Sequence, residues 1–263
     1  MSSFLAQMGA SSQARADRYR PAGPAPCPSR PLVLNGFDVI AEVKLSTPSE
    51  GTLVRPADPI QTVVAQAKAY AQGGAAAISV LTEPERFGGH MDHLRAVAGA
   101  VDVPVMRKDF LVDPVQVHQA REAGASGVLL ILALLDDQRL SACLEVARRL
   151  EMFVLLEAFD AQELSRAAAY LAPGTLLGLN CRDLRTLQVQ PGRLQALRGH
   201  FPQGTITVAE SGTSTPSDAA DLAACGYDMA LVGTALMRST DPAQATAELV
   251  AAGRQEEVRC VSG

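Results

Sequence analysis

The 263-residue chain carries 23 basic and 28 acidic side chains, a net charge of −5, with 48% hydrophobic residues. That length fits two average domains or one α/β barrel with a sizeable core, and the acidic balance argues against nucleic-acid binding through a broadly basic surface. No apolar run is long enough for a membrane span, and the opening Met-Ser-Ser-Phe-Leu-Ala-Gln lacks the charged start and apolar core of a signal peptide.

Residues 1–20 can form one helix after Ser2 or Ser3, with Phe4, Leu5 and Met8 on one face and Gly9 as its weak point. Residues 21–31 hold too many prolines for helix or strand and read as an extended connector. From Asp38 a pattern repeats. Short apolar runs end near Lys44, Leu81, Lys108, Ile131, Glu157, Asn180, Glu210 and Val232, at spacings of 22 to 37 residues. The gaps hold helix-period segments: Ile60–Gln72, Val115–Ala123, Arg139–Leu150, Gln162–Tyr170 and Ser217–Ala224. Gly73, Gly124 and Gly226 stand where a helix ends and a strand follows, the place of a left-handed cap. Strands apolar on both faces, alternating with helices, predict a parallel sheet. Eight such units in one chain predict a closed (βα)8 TIM barrel over 38–253, with a short N-terminal extension at 1–37 and a tail at 254–263.

In such a barrel the carboxyl ends of the strands share one mouth, where active sites lie. Standing there are Glu42 and Lys44, Lys108, Glu157, Asn180 with Arg182, Glu210 with Ser211, and Gly233 with Thr234. Only three lysines occur against twenty arginines, and two of them, Lys44 and Lys108, sit at strand ends. Glu42 and Lys44 are two apart and point to one side; Arg107 faces away if Lys108 faces the mouth. Each charge alone reads as a structural ion pair, but stacking several at one end has no stabilising logic. Lysines beside carboxylates stay protonated and suit proton donation better than imine formation. Gly212, Gly233 and Thr234, with Lys44 nearby, form turns after the seventh and eighth strands, the usual place for a phosphate to meet backbone N–H groups. The mouth reads as built for acid–base chemistry on a phosphorylated, sugar-like substrate.

Six stretches carry a family resemblance. Ile40-Ala-Glu42-Val-Lys44-Leu-Ser-Thr-Pro48-Ser49-Glu-Gly51, Ile78-Ser-Val-Leu-Thr-Glu-Pro-Glu-Arg-Phe87-Gly-Gly and Met106-Arg-Lys108-Asp-Phe110 come first. Gly178-Leu-Asn180-Cys-Arg182-Asp-Leu, Ala209-Glu210-Ser211-Gly212 and Leu231-Val-Gly233-Thr-Ala-Leu-Met-Arg follow. In this order, from about residue 38 to 240, the chain resembles indole-3-glycerol-phosphate synthases. The resemblance implies conversion of 1-(2-carboxyphenylamino)-1-deoxyribulose 5-phosphate into indole-3-glycerol phosphate, with loss of CO2 and water. This step belongs to tryptophan biosynthesis and uses no metal or organic cofactor.

Carried over by position, it implies that Lys108 protonates the carbonyl oxygen as the ring carbon attacks. Glu157 serves as base or acid in dehydration, and Lys44 meets the phosphate side and the leaving hydroxyl; how the two lysines divide closure and dehydration stays open. Glu42 and Asn180 fix charges and hydroxyls. Arg182 meets the anthranilate carboxylate or its ring face, and Glu210 with Ser211 the sugar side. Phe87, Phe110, Leu129, Pro48 and Leu187 line an apolar pocket for the ring. Against the family pattern, Leu45-Ser46-Thr47-Pro48-Ser49 loses a cation expected near the phosphate. Thr234 replaces a smaller or acidic residue, and the N-terminal segment is shorter, Pro-rich and without Trp.

Other signals are plain. The five cysteines (Cys27, Cys143, Cys181, Cys225, Cys260) are odd in number and lack a CxxC, so they read as reduced thiols in a cytoplasmic protein. Cys181 reads as packing and His90 with His93 as a pair lacking a third metal ligand. Asp136-Asp137 and Glu256-Glu257 read as solvated caps or tails. The Arg-rich, acid-poor start also admits an organelle transit peptide. The partner expected is a small phosphorylated anthranilate-sugar, with no nucleic acid and no membrane, the protein being a monomer or weak homo-oligomer. Two alternatives stay open: a specialised paralogue making a substituted indole, and an idle phosphate-binding barrel subunit.

Overall fold

Each apolar run forms a parallel strand and each helix-period segment folds back over it. The strands are β1 (Asp38–Val43), β2 (Ala77–Leu81), β3 (Val105–Lys108), β4 (Gly127–Ile131), β5 (Phe153–Ala158), β6 (Thr175–Asn180), β7 (Ile206–Glu210) and β8 (Met229–Val232). They close into a barrel in the order β1-β8-β7-β6-β5-β4-β3-β2. This is a computed structural model, and it describes residues 3–20, 23, 28–183, 186, 188–190 and 192–261, the side chains of 256–261 excepted.

Strand alternation sorts the side chains into two cores. Ile40, Ala77, Met106, Leu129, Phe153, Leu155, Leu176, Val208 and Met229 fill the barrel interior. Val39, Ala41, Ile78, Val80, Val128, Val154, Leu177, Ala209 and Ala230 face outward into the helix layer. Gly127 leaves room for the Phe153 ring, since a Cβ there would stand 2.3 Å from its Cζ atom. The register brings Leu81 opposite Lys108, Ile131 opposite Glu157, and Asn180 opposite Glu210. The inward column of several strands therefore changes at its carboxyl end from aliphatic to charged.

Besides a single turn at Pro84–Phe87, the α-helices are α1 (Ser3–Arg18), α2 (Pro59–Gln72), α3 (Met91–Ala98), α4 (Pro114–Glu122), α5 (Asp137–Arg149), α6 (Ala161–Ala167), α7 (Gly192–Leu197), α8 (Pro216–Ala224), α9 (Thr234–Arg238) and α10 (Pro242–Val261). Several begin on a side-chain cap followed by proline, which satisfies N–H groups that a first turn leaves orphaned. Asp58 caps α2, and Asp113 and Thr215 form capping boxes with Gln116 and Asp218. Asp136 caps α5, as its place in the sequence suggests. Among the described residues no helix is long and apolar enough to cross a membrane.

Two details differ from expectation. At the first helix-to-strand joint the left-handed residue is Gly74 (φ 88°), while Gly73 is right-handed and packed against the chain, a Cβ there meeting Ala243 O at 2.3 Å. Gly124 and Gly226 do adopt positive φ. The chain also shows no break at 254, because α10 continues to Val261. Gly253 admits the Phe37 ring, and Arg254 reaches Phe37 O and Asp38 Oδ1 (2.5 Å), closing the amino-terminal end of the barrel. At the N-terminus, α1 runs unbroken through Gly9 and buries Leu5 and Met8. Of the connector, residues 21, 22 and 24–27 lie outside the described residues, and 28–37 form neither helix nor strand.

Candidate active site

The inward columns end in a cavity of about 580 Å³ at the carboxyl ends of the strands. At its floor Lys108 Nζ lies 3.2 Å from Glu42 Oε2, 3.4 Å from Glu210 Oε2 and 4.0 Å from Glu157 Oε2. Lys44 Nζ donates to Glu42 Oε1 at 2.7 Å. These groups come from β1, β3, β5 and β7, so only the closed barrel brings them together. Burial by itself would lower the Lys108 pKa, but Glu42, Glu210 and Glu157 outweigh it and hold the ammonium far above its usual range. Burial would likewise raise Glu42, yet Lys108 and Lys44 bring it down to about 2. Glu210 goes the other way: burial and then the Glu157 charge push it well above the ordinary carboxylate range. At rest the cluster thus favours a charged Lys108, a charged Glu42 and a Glu210 carboxyl inclined to keep a proton.

Glu210 has room only because residue 178 is glycine, where a Cβ would lie 2.2 Å from Glu210 Oε1. It is fully buried and packs beneath the floor, where the sequence reading had set it against the substrate's sugar side. Asn180 stands above it. Asn180 Oδ1 accepts from Ser211 Oγ at 2.9 Å and from the Arg182 amide at 3.0 Å, which leaves its NH2 end for the cavity. Ser211 itself takes φ 69°, an uncommon left-handed conformation for a residue with a Cβ, and Gly212 follows at φ 85°.

The rim is built from loops. Gly212, Thr213, Ser214, Gly233 and Thr234 form one side. Gly233 packs so closely that a Cβ would meet Glu42 Oε1 at 2.5 Å and Lys44 Nζ at 2.9 Å. Opposite, Ser46–Thr47 and Gly51–Thr52 pair as a short antiparallel ribbon after β1. Glu50 at its tip accepts from Arg238 Nη2 at 2.5 Å, and Ser49 accepts from Arg182 Nη1 at 3.4 Å.

The remaining wall is apolar. Phe4, Phe87, Phe110, Leu129, Ile131 and Leu231 line it. Phe4 of α1 meets Phe110 edge-on, ring centroids 5.9 Å apart, and Phe87 lies 6.1 Å from Phe110. Behind this wall Asp109 binds Arg15 at 2.7 and 2.8 Å, Thr82 Oγ1 at 2.7 Å and Arg107 Nη2 at 3.0 Å. Arg107 faces away from the mouth, as alternation requires, and reaches Gln116 O and Gln119.

Of the residues singled out in the sequence, Glu42, Lys44, Pro48, Phe87, Lys108, Phe110, Leu129, Glu157, Asn180, Arg182, Ser211, Gly212, Gly233 and Thr234 all line the cavity. Leu187 lies outside the described residues. Leu45 does not line the cavity. It is buried in the outer core, because its neighbours Lys44 and Glu42 take the inward face. The cation expected at 45 would therefore not have stood beside a phosphate. Sequence reasoning passed over Phe4, Glu50, Asp109 and Arg238. Arg238 could have been found, as it lies one helical turn beyond Thr234 and so on the same side. Elsewhere, His90 Nδ1 accepts from the Asp92 amide as a helix cap, and no metal-binding group forms among the described residues. Cys181 is buried with Sγ against Ser211 O.

A family model described as indole-3-glycerol phosphate synthase matches residues 33–249. The indole-3-glycerol phosphate synthase of Kineococcus radiotolerans is 46% identical over 226 residues, covering 86% of this chain and 80% of that one. That of Parafrankia sp. is 47% identical over 221 residues, covering 84% and 80%, and that of Mycobacterium leprae is 44% identical, covering 88% and 84%. Among solved structures, 3-hexulose-6-phosphate synthase from Salmonella typhimurium superposes with TM-score 0.63 at 15% identity, covering 83% of this chain and 99% of that one. Orotidine 5'-phosphate decarboxylase from Pyrococcus horikoshii gives 0.62 at 14%, covering 82% and 99%. At such identity these two speak for the barrel fold alone.

Proposed function

The chain belongs to the indole-3-glycerol phosphate synthase family, and on that premise we propose that its cavity closes the indole ring of 1-(2-carboxyphenylamino)-1-deoxyribulose 5-phosphate. The observation that carries this reading is Lys108, an ammonium held among three buried carboxylates at the foot of a half-apolar cavity. The aromatic ring rests on Phe87, Phe110 and Leu129, with Pro48 on the near side, and its carboxylate meets Arg182. The phosphate sits at Gly212, Gly233 and Thr234, within reach of Lys44.

In this pose the ring carbon bearing the carboxylate attacks the ketose carbonyl while Lys108 protonates the carbonyl oxygen. Holding the two ends of one molecule on opposite sides of the cavity turns ring closure into a matter of orientation. CO2 then leaves, and its bonding electrons restore the aromatic ring. The new hydroxyl departs as water while Glu157 takes a proton from the adjacent carbon. Asn180 and Glu42 hold the hydroxyl and Lys44 in register. The enzyme is accordingly a carbon–carbon lyase, since the bond to the carboxyl carbon is broken. The test is direct: purified protein is mixed with the substrate and indole absorbance is followed. Absence of product from folded protein would overturn the reading.

A further inference from the structure

The buried cluster contains three carboxyl groups, Glu42, Glu157 and Glu210, and two ammonium groups, Lys44 and Lys108. If all ionise, one negative charge is left over in a site whose side chains are at most 16% exposed. An uncompensated buried charge is costly, and a group so placed takes up a proton instead. Among the described residues, the groups that face Glu210 from neighbouring strands give it no second cation: Gly178 and Asn180 on β6, Glu157 on β5 beyond Gly178, and Leu231 on β8. Glu210 Oε1 is buried and receives no hydrogen bond, and one ammonium, Lys108 Nζ, stands 3.4 Å from Glu210 Oε2 and 4.0 Å from Glu157 Oε2. Two buried carboxyl groups gathered on a single cation repel when both are ionised and are relieved when one of them carries a proton.

We propose that Glu157 and Glu210 share one proton in the resting enzyme, and that this proton, relayed through Lys108, is the second one received by the ketose oxygen. The elevated Glu210 pKa runs in the same direction. The relay rests on the reaction proposed above; the shared proton does not.

The proton count of that reaction calls for a second proton at the ketose oxygen, and such a store supplies it. The ketose oxygen must gain two protons to leave as water, whereas the adjacent carbon gives up only one. Lys108 supplies the first proton as the carbon–carbon bond forms, and becomes a neutral amine. After CO2 has left, the Glu157–Glu210 proton passes to Lys108, which becomes ammonium again, 3.4 Å from Glu210 Oε2. Lys108 then gives this proton to the hydroxyl, the C–O bond breaks, and water leaves. Glu157, now ionised, takes the proton from the adjacent carbon, whose C–H electrons form the ring double bond. The carboxyl pair has regained its shared proton, and one solvent proton restores Lys108. The net uptake of one proton equals that needed to convert a carboxylate into CO2 and a C–H-free ring carbon closed on its new neighbour.

Infrared spectroscopy of the full chain without substrate tests the shared proton. The wild type is expected to show, at neutral pH, a carboxylic-acid C=O stretch that shifts in D2O. Glu157→Gln and Glu210→Gln should each abolish it, because an amide donates to the remaining carboxylate and Lys108 keeps that carboxylate ionised. A wild-type spectrum without the band, or a band surviving in either variant, overturns the proposal. The relay is tested by single-turnover quench of Glu210→Gln. CO2 release should stay near wild type while product formation falls by about 100-fold, the range for loss of a proton donor. Equal falls in both overturn the relay. If the wild type releases no CO2 at all, the proposed reaction fails, and the infrared result still decides the shared proton.

Discussion

Arg15 of α1 grips Asp109, the residue after Lys108, through two parallel hydrogen bonds of 2.7 and 2.8 Å. The pair joins positions 94 apart in sequence and fastens the N-terminal helix to the wall that carries Phe110. Asp109 also compensates the buried Arg107 guanidinium, so the two contacts are unequal in consequence. Asp109→Asn should destabilise the fold by about 3–5 kcal/mol, the cost of leaving a buried charge unpaired. Arg15→Met leaves Arg107 satisfied and should cost about 1 kcal/mol, while raising KM through the loosened Phe4–Phe110 wall. Denaturant unfolding and steady-state kinetics check both.

The same carboxylate gives a pH dependence whose sign is fixed. Burial would raise the Asp109 pKa, but Arg15 and Arg107 outweigh burial and hold it well below the usual range. A depressed native pKa means that the stabilisation is complete above the unfolded value, about 3.9, and is lost as pH falls towards the native one. Glu42, brought down to about 2, behaves alike. The stability gap between wild type and Asp109→Asn should therefore narrow below about pH 4. Urea unfolding across pH 2–6 (roughly the carboxylate range) measures it, and a gap independent of pH would remove Asp109 from the argument.

Lys108→Met keeps the stem and removes the proton donor. It should lower kcat by at least about 100-fold. With the cation gone, Glu42, Glu157 and Glu210 are left with Lys44, so further protons should bind and Glu42 should titrate higher than about 2. Turnover near wild type in a folded variant would move the acid role to Lys44.

Glu157→Gln should release CO2 yet stall before dehydration, since ring closure needs donation and dehydration also needs removal of a proton. Acid quench followed by product separation reads it. An unchanged rate of product formation would reject Glu157 as the base.

Two glycines mark the tightest approaches to the charged cluster. Gly178→Ala places a methyl 2.2 Å from Glu210 Oε1 and should cut kcat with little change in KM. Gly233→Val intrudes on both Glu42 and Lys44, so it should weaken binding of substrate and of inorganic phosphate as a competitor. Leu45→Lys, by contrast, should not tighten phosphate binding. It would bury an ammonium in the outer core and lower stability by about 3 kcal/mol. A tighter phosphosubstrate affinity in Leu45→Lys would mean that residue 45 turns towards the mouth.

Strand ends, helix segments and the closed barrel were legible in the chain because both periodicities and their alternation are local properties. Lys44, Lys108, Glu157 and Asn180 were legible for the same reason: each ends an apolar run, and a parallel barrel sends all such ends to one mouth. The inward turn of Lys44 and the outward turn of Arg107 follow from alternation alone. Leu45 obeys that rule too, and was misplaced only because a motif was weighed above it. What the sequence could not decide is which side chains meet across the barrel. The grip of Arg15 on Asp109, the seat of Phe4 on Phe110 and the ion pair of Arg238 with Glu50 join distant segments, and no local pattern encodes their distance. The protonation of the cluster is of the same kind. Glu42 and Glu210 are the same residue type at equivalent strand ends, yet one is held ionised near 2 and the other is pushed well above the ordinary range. Their difference is set by two nearby ammoniums in one case and by burial beside a second carboxylate in the other, and only the closed barrel creates those neighbours.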